Sequence, residues 1–362
     1  MARMGGQGTL RVVAGDKPGP NVRFYSFGPA FYRSVEEDRF GKMKAQFAAE
    51  TSDTGEFQRQ EDAFREWISN DGSTPNPAEA GRYHLYVSLA CPWASRTVIF
   101  RKLKGLEDAI GMTVVDPIRD ERGWAFRDPS GNTPLTAPFE STDPVNGFHY
   151  LREAYEATDP NFDERVTVPV LWDKKTKKIV NNCEDDICPM FNDVFNAFAK
   201  DEELDLFPKQ IKEEHAKLSD FIYDNINNGV YKAGFAVRQR PYEISCRKLF
   251  AALDQIEHRL SKSRYLFGRC IVEADWRLFC TLVRFDVVYH GHFKCNIRRI
   301  IDYPNLQGFL MDLYQQPGIA ETVNVDHIKR HYYMTHIEIN PPRIVPLGPA
   351  LDLSQPPQRD KM

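Results

Sequence analysis

The hydrophobic pattern changes period along the chain. Tyr83-His84-Leu85-Tyr86-Val87 alternates aromatic and aliphatic residues as a short strand does, and a second apolar run lies near Met112–Val115. Between them Pro92 to Lys104 reads as a helix, with proline at its first position and Gly105 at its end. These three segments predict a βαβ unit. A further run, Val168-Pro169-Val170-Leu171-Trp172, the charged turn Asp173 to Lys178, and Ile179-Val180 together predict a hairpin, with a helix starting near Glu184. Beyond Asp205 the spacing turns helical. Ile244, Leu249, Leu253, Ile256 and Leu260 recur at steps of three to five residues, as on one face of an amphipathic helix. Glu273 to Val283 is apolar on more than one face and predicts a central buried helix, and Pro304 opens another that Gln316-Pro317-Gly318 stops near Gln315.

This pattern divides the chain. Residues 1–81 are rich in Gly, Pro and charge and read as an extension wrapped on a folded body. Residues 82–203 form an α/β domain with a long insertion at 117–165, 204–339 an all-helical domain, and 340–362 an extended tail with six prolines.

Cys91 stands where the first strand ends and the first helix begins. Unpaired amides and the positive end of the helix dipole favour an anion there, and such positions lower a thiol pKa from about 8.5 to roughly 3.5–7.5. The expectation is a nucleophilic thiolate at neutral pH. Ala94 occupies the place that would complete a Cys-x-x-Cys pair, so the chemistry is monothiol.

Composition narrows the class. The 362 residues include 47 Lys and Arg against 51 Asp and Glu, a net charge of −4 with no basic stripe of the kind nucleic acid requires. No apolar run approaches the roughly 18 residues of a membrane span, and Met1 to Gly8 lacks the apolar core of a secretory signal. The seven cysteines are odd in number and show no framework or zinc spacing, as reduced thiols do. The expectation is a cytoplasmic protein with neither nucleic acid nor membrane as partner.

A βαβ unit with a cysteine at its first turn, a Val-Pro strand, a hairpin and a helical second half resemble a glutathione transferase, a thioredoxin-like domain followed by a helical one. Ser88-Leu89-Ala90-Cys91-Pro92-Trp93-Ala94, Asn227 to Ala236, Arg284 to Tyr289, His292 to Asn296 and Asp326 to Lys329 are similar to the glutathionyl-hydroquinone reductases, the Xi class. The resemblance runs from about Arg82 to Pro349. It implies glutathione as co-substrate, no metal, and a homodimer. It also implies that Cys91 attacks the sulfur of a glutathionyl-hydroquinone, releasing hydroquinone and leaving a mixed disulfide that a second glutathione resolves. Trp124 would cover the bound glutathione, and the backbone of Val168, before a cis Pro169, would pair with its cysteinyl part. Arg165, Cys183 and Glu184 complete the glutathione set. Tyr231, Tyr289 and Tyr332 match the active-site tyrosines, and a phenol suits the task because its O–H can bond a thiolate or phenolate while its ring stacks on a quinol.

The pattern breaks at one place of consequence. The family continues its hairpin with a Glu-Ser pair that holds the γ-glutamyl end of glutathione, and here the aligned residues are Cys183 and Glu184, or Glu184 and Asp185 with a slip of one residue, which still supplies no hydroxyl. An ionised carboxylate cannot donate to the ligand carboxylate, and like charges at about 4 Å cost on the order of 4 kcal/mol at an effective dielectric near 20. Ser95 and Val272 are smaller departures, from a usual His and from a Thr or Ser helix cap. Together they suggest a diverged member. Two alternatives follow: a pathway-specific transferase acting on an aromatic or quinone metabolite, and a non-catalytic aromatic-ligand-binding protein on the same fold. His290-Gly291-His292 and His327 to His331 lack the companion ligands of a metal site.

Overall fold

A computed structural model describes residues 48–120, 122–126 and 143–360, all within one compact body that spans Lys44–Met362. The expectations for residues 1–47, and for residues 121 and 127–142 of the insertion, lie outside the described residues.

The sheet is built around β1 (Tyr83–Val87). It pairs in parallel with β2 (Gly111–Val114), Leu85 facing Met112, and antiparallel with β3 (Val170–Asp173), Leu85 facing Leu171. β3 pairs antiparallel with β4 (Lys178–Asn181), giving the order β2-β1-β3-β4. All five residues of β1 are buried. A strand covered on both faces has no solvent side, which is why its sequence is apolar almost throughout. The predicted third strand begins at Val170, two residues after Val168, since Pro169 has no N–H to give a ladder; the Val168-Pro169 peptide is cis.

Helix α1 (Pro92–Leu103) follows β1 directly and ends at Gly105, whose φ of +63° is the left-handed conformation that suits a residue just past a helix. α1 packs on α3 (Glu184–Pro189) and on α7 (Glu273–Arg284). The insertion carries a short helix, α2 (Arg152–Thr158). Segment 48–81 docks on β4: the Glu66 N–H donates to the Val180 carbonyl at 3.0 Å and the Asn182 N–H to the Phe64 carbonyl at 3.0 Å. These bonds cover an edge that would otherwise stay unpaired. Phe57 and Ile68 of the same segment enter the core.

The helical part contains α4 (Lys212–Ile222), α5 (Gly229–Gly234), α6 (Gln239–Leu260), the buried α7, α8 (Pro304–Tyr314) and α9 (Val325–Thr335). One expectation fails here. Ile244 is 41 % exposed, whereas Leu249, Leu253, Ile256 and Leu260 are buried. A five-residue step at about 100° per residue carries Ile244 some 140° away from that stripe, and Cys246 and Phe250 take its place in the core. At the start of α7, where Val272 offers no capping hydroxyl, the Asp275 carboxylate accepts from the Val272 N–H at 2.8 Å and the Leu266 N–H at 2.9 Å. The tail is anchored as well as extended: the buried Arg359 guanidinium donates to the carbonyls of Leu260 (2.8 Å) and Ser263 (2.6 Å), while Ile344 and Leu347 stay exposed.

Candidate active site

Cys91 caps α1 in an extended conformation, φ −76° and ψ 122°, at the floor of a cleft of about 920 Å³ including its open mouth. Its Sγ donates to the Val168 carbonyl at 3.5 Å. Burial among the cleft walls pushes the thiol up, and the amides of Ala94 and Trp93 and the charge of Arg284 pull it down; the balance is upward. The expectation of a resting thiolate is therefore corrected. The helix-end amides act as foreseen, but desolvation outweighs them, and a carbonyl acceptor favours the protonated form.

The predicted residues converge. Cys91, Trp124, Arg165, Val168, Cys183 and Glu184 line the cleft, as do Tyr231 and Tyr332. Pro169 stands behind Val168 as its cis partner. Tyr289 does not line it; its hydroxyl reaches Tyr332 at 3.0 Å, and Tyr332 reaches Tyr231 at 2.5 Å. Burial raises all three phenols, so they are neutral hydrogen-bonding groups at pH 7. Trp124 is buried and stacks on His331, ring centroids 4.9 Å apart at 21°. Arg165 is ion-paired with Glu50.

At Cys183–Glu184 the structure shows how the departure is accommodated. Burial pushes Glu184 up to about 7 even though Arg96 lies 3.0 Å away. Arg96 is itself buried and also holds Asp185 at 2.6 Å and Glu273, so the hairpin helix, α1 and α7 share one charged hub. Asp62, Cys183 and Glu184 bring their oxygen and sulfur atoms within 4.8 Å of one another, the one such group of ligand-type atoms among the described residues. The histidine strings serve packing: His292 and His336 share a 3.2 Å hydrogen bond, and burial holds His292 and His331 down at about 3.

Sequence reasoning missed Arg59, Asp62 and Arg119 on the cleft wall, Glu50 as the partner of Arg165, His331 and His336 on the tyrosine side, and Arg284 behind the nucleophile. Only Arg284 and the histidines had a local signal, lying in or beside strings noted for other reasons.

With this geometry, residues 90–193 match the glutathione S-transferase N-terminal domain and residues 236–310 the C-terminal domain. The chain belongs to the glutathione S-transferase family. Within it, the likeness is to the glutathionyl-hydroquinone reductases. It is 49% identical over 313 residues to glutathionyl-hydroquinone reductase YqjG of Escherichia coli K12, covering 84% of this chain and 93% of that one. Identity to glutathionyl-hydroquinone reductase PcpF of Sphingobium chlorophenolicum is 42%, covering 83% and 92%. Among solved structures, the glutathione-bound YqjG superposes with a TM-score of 0.78 over 82% of this chain and 96% of that one, at 49% identity. The Xi glutathione S-transferase of Phanerochaete chrysosporium gives 0.79 over 83% and 94%, at 48% identity.

Proposed function

We propose that this protein is a glutathione-dependent thiol reductase that removes glutathione from glutathionyl-hydroquinones and related hydroxylated aromatics, with Cys91 as nucleophile. The Cys91 sulfur attacks the glutathionyl sulfur, the aryl C–S bond breaks, and the ring carbon takes up a proton. The aromatic leaves as hydroquinone, two electrons more reduced, and Cys91 holds glutathione as a disulfide. A second glutathione attacks that disulfide and leaves as glutathione disulfide, returning the thiol. The carrying observation is the Cys91 thiol at the start of α1 in the same cleft as Tyr231 and Tyr332, whose hydroxyls continue to Tyr289 in one hydrogen-bonded chain. Tyr231 and Tyr332 bond the substrate hydroxyl, Tyr289 supports them from behind, and Trp124, Arg165 and Val168 hold the tripeptide.

The binding-protein alternative is less well supported, since it leaves the joint placement of Cys91 and the tyrosines without a purpose. A cytosolic homodimer belongs to the same proposal. Seven unpaired cysteines suit a reducing compartment, and no helix among the described residues is long and apolar enough to cross a membrane. The test is intact mass during turnover of a glutathionyl-hydroquinone. The expected result is a one-glutathione adduct that Cys91→Ser abolishes together with hydroquinone release; release that survives Cys91→Ser refutes the role of Cys91.

A further inference from the structure

Glutathione carries an ammonium and a carboxylate on the α-carbon of its γ-glutamyl residue. A cleft that sets the ligand's sulfur against Cys91 must meet both signs of charge within a few ångströms at that end. Cys183 and Glu184, the residues aligned with the expected glutamyl contacts, do not supply them: one is a neutral thiol raised by burial and the other is held by Arg96.

Charges of both signs reach this wall from the docked N-terminal segment. The Arg59 guanidinium is sandwiched between the rings of Trp93 and Tyr231, its carbon 4.7 Å from each centroid. Its Nε donates to the Asn228 side chain at 3.1 Å, and its Nη2 is buried with no hydrogen-bond partner among the described residues. An unpaired buried donor is costly unless something fills the place beside it. Three residues on, the Asp62 carboxylate lies beside the Cys183 thiol and the Glu184 carboxylate, their ligand-type atoms all within 4.8 Å of one another. Arg165, a second cation of the cleft, is taken by Glu50.

We infer that Arg59 and Asp62 form a subsite for an α-amino-acid zwitterion, Arg59 binding the γ-glutamyl carboxylate and Asp62 the ammonium. This rests on the proposed use of glutathione and names how this chain selects γ-glutamyl thiols over simpler ones such as cysteinylglycine. Burial already raises Asp62, and an incoming ammonium offsets that desolvation directly. Arg59, held by two aromatic faces and Asn228, meets the carboxylate with little side-chain entropy left to lose.

The test pairs ligand deletions with side-chain deletions. Quenching of intrinsic tryptophan fluorescence is titrated with S-methylglutathione, with its glutaryl analogue lacking the ammonium, and with its γ-aminobutyryl analogue lacking the carboxylate. In the unaltered protein each deletion is expected to weaken binding about tenfold or more, the scale of one charge-assisted hydrogen-bonded pair. In Asp62→Asn the ammonium deletion costs less than about threefold while the carboxylate deletion keeps its effect, and Arg59→Gln shows the reverse. Because ligands are compared within each variant, a partly damaged cleft lowers all three together and leaves the ratios readable. A variant that keeps the original sensitivity to its own deletion overturns the assignment. Failure of the wider reading is separate: the Cys91 adduct then does not form with glutathione at all, whereas a wrong subsite leaves the adduct intact.

Discussion

Replacing Arg284 tests what sets the reactivity of Cys91. The guanidinium is buried at the end of α7 and donates to the carbonyls of Leu89 (3.0 Å) and Ala90 (2.8 Å), to the Cys280 carbonyl (2.8 Å) and to Ser95 Oγ (2.5 Å). No carboxylate pairs with it among the described residues, so its full charge faces the loop that carries the nucleophile. The Arg284 charge is one of the causes that pull the Cys91 thiol down, and an opposite charge at close range stabilises a thiolate by on the order of 1–3 kcal/mol at an effective dielectric near 20. Burial already raises the thiol, so Arg284→Met is expected to lift it further and to slow alkylation at neutral pH by about tenfold or more. Arg284→Lys, which keeps the charge, should recover most of the shift. The assay is the rate of alkylation of Cys91 by iodoacetamide against pH, followed by peptide mapping because Cys270 is also exposed. The carbonyls left unpaired cost about 1–3 kcal/mol each, so rates are read well below the melting temperature with folding confirmed by circular dichroism. An alkylation profile in folded Arg284→Met that overlays the original would refute the electrostatic argument.

Two further outcomes follow from the same geometry. Tyr332→Phe removes the middle hydroxyl of the chain and strands that of Tyr289; stability should fall by about 1–3 kcal/mol in urea unfolding, and turnover should slow most for aromatics with the least acidic hydroxyls. Arg96→Met leaves Glu184 without its cation and Asp185 and Glu273 with Arg277 alone to share. Its unfolding free energy should drop by about 3–5 kcal/mol, and adding Glu273→Gln should restore part of the loss.

Much of the architecture is legible from local pattern because its elements are locally determined. Alternation marks β1, proline and glycine bracket α1, and a charged turn between apolar pairs marks the β3–β4 hairpin. Cys91 is legible for the same reason, since strand, cysteine and Pro92 are consecutive. Arg59 and Asp62 are not, because segment 48–81 has no helix or strand period of its own beyond a short turn. Its order comes from pairing with β4 and from Phe57 and Ile68 entering a core built elsewhere. The charge state of Cys91 escaped for a related reason: helix-end amides are visible in sequence, whereas burial is imposed by segments distant along the chain.

That correction bears on how the site would work. The thiol rests protonated, with the Val168 carbonyl as its acceptor. On the proposed function, the same carbonyl receives the cysteinyl N–H of glutathione. A strong N–H donor outcompetes a weak S–H donor for one acceptor, so binding removes the contact that favours the neutral thiol, while the Ala94 and Trp93 amides and Arg284 remain to hold an anion. Occupancy of the cleft therefore removes one contact that favours the neutral thiol and leaves in place those that favour the anion.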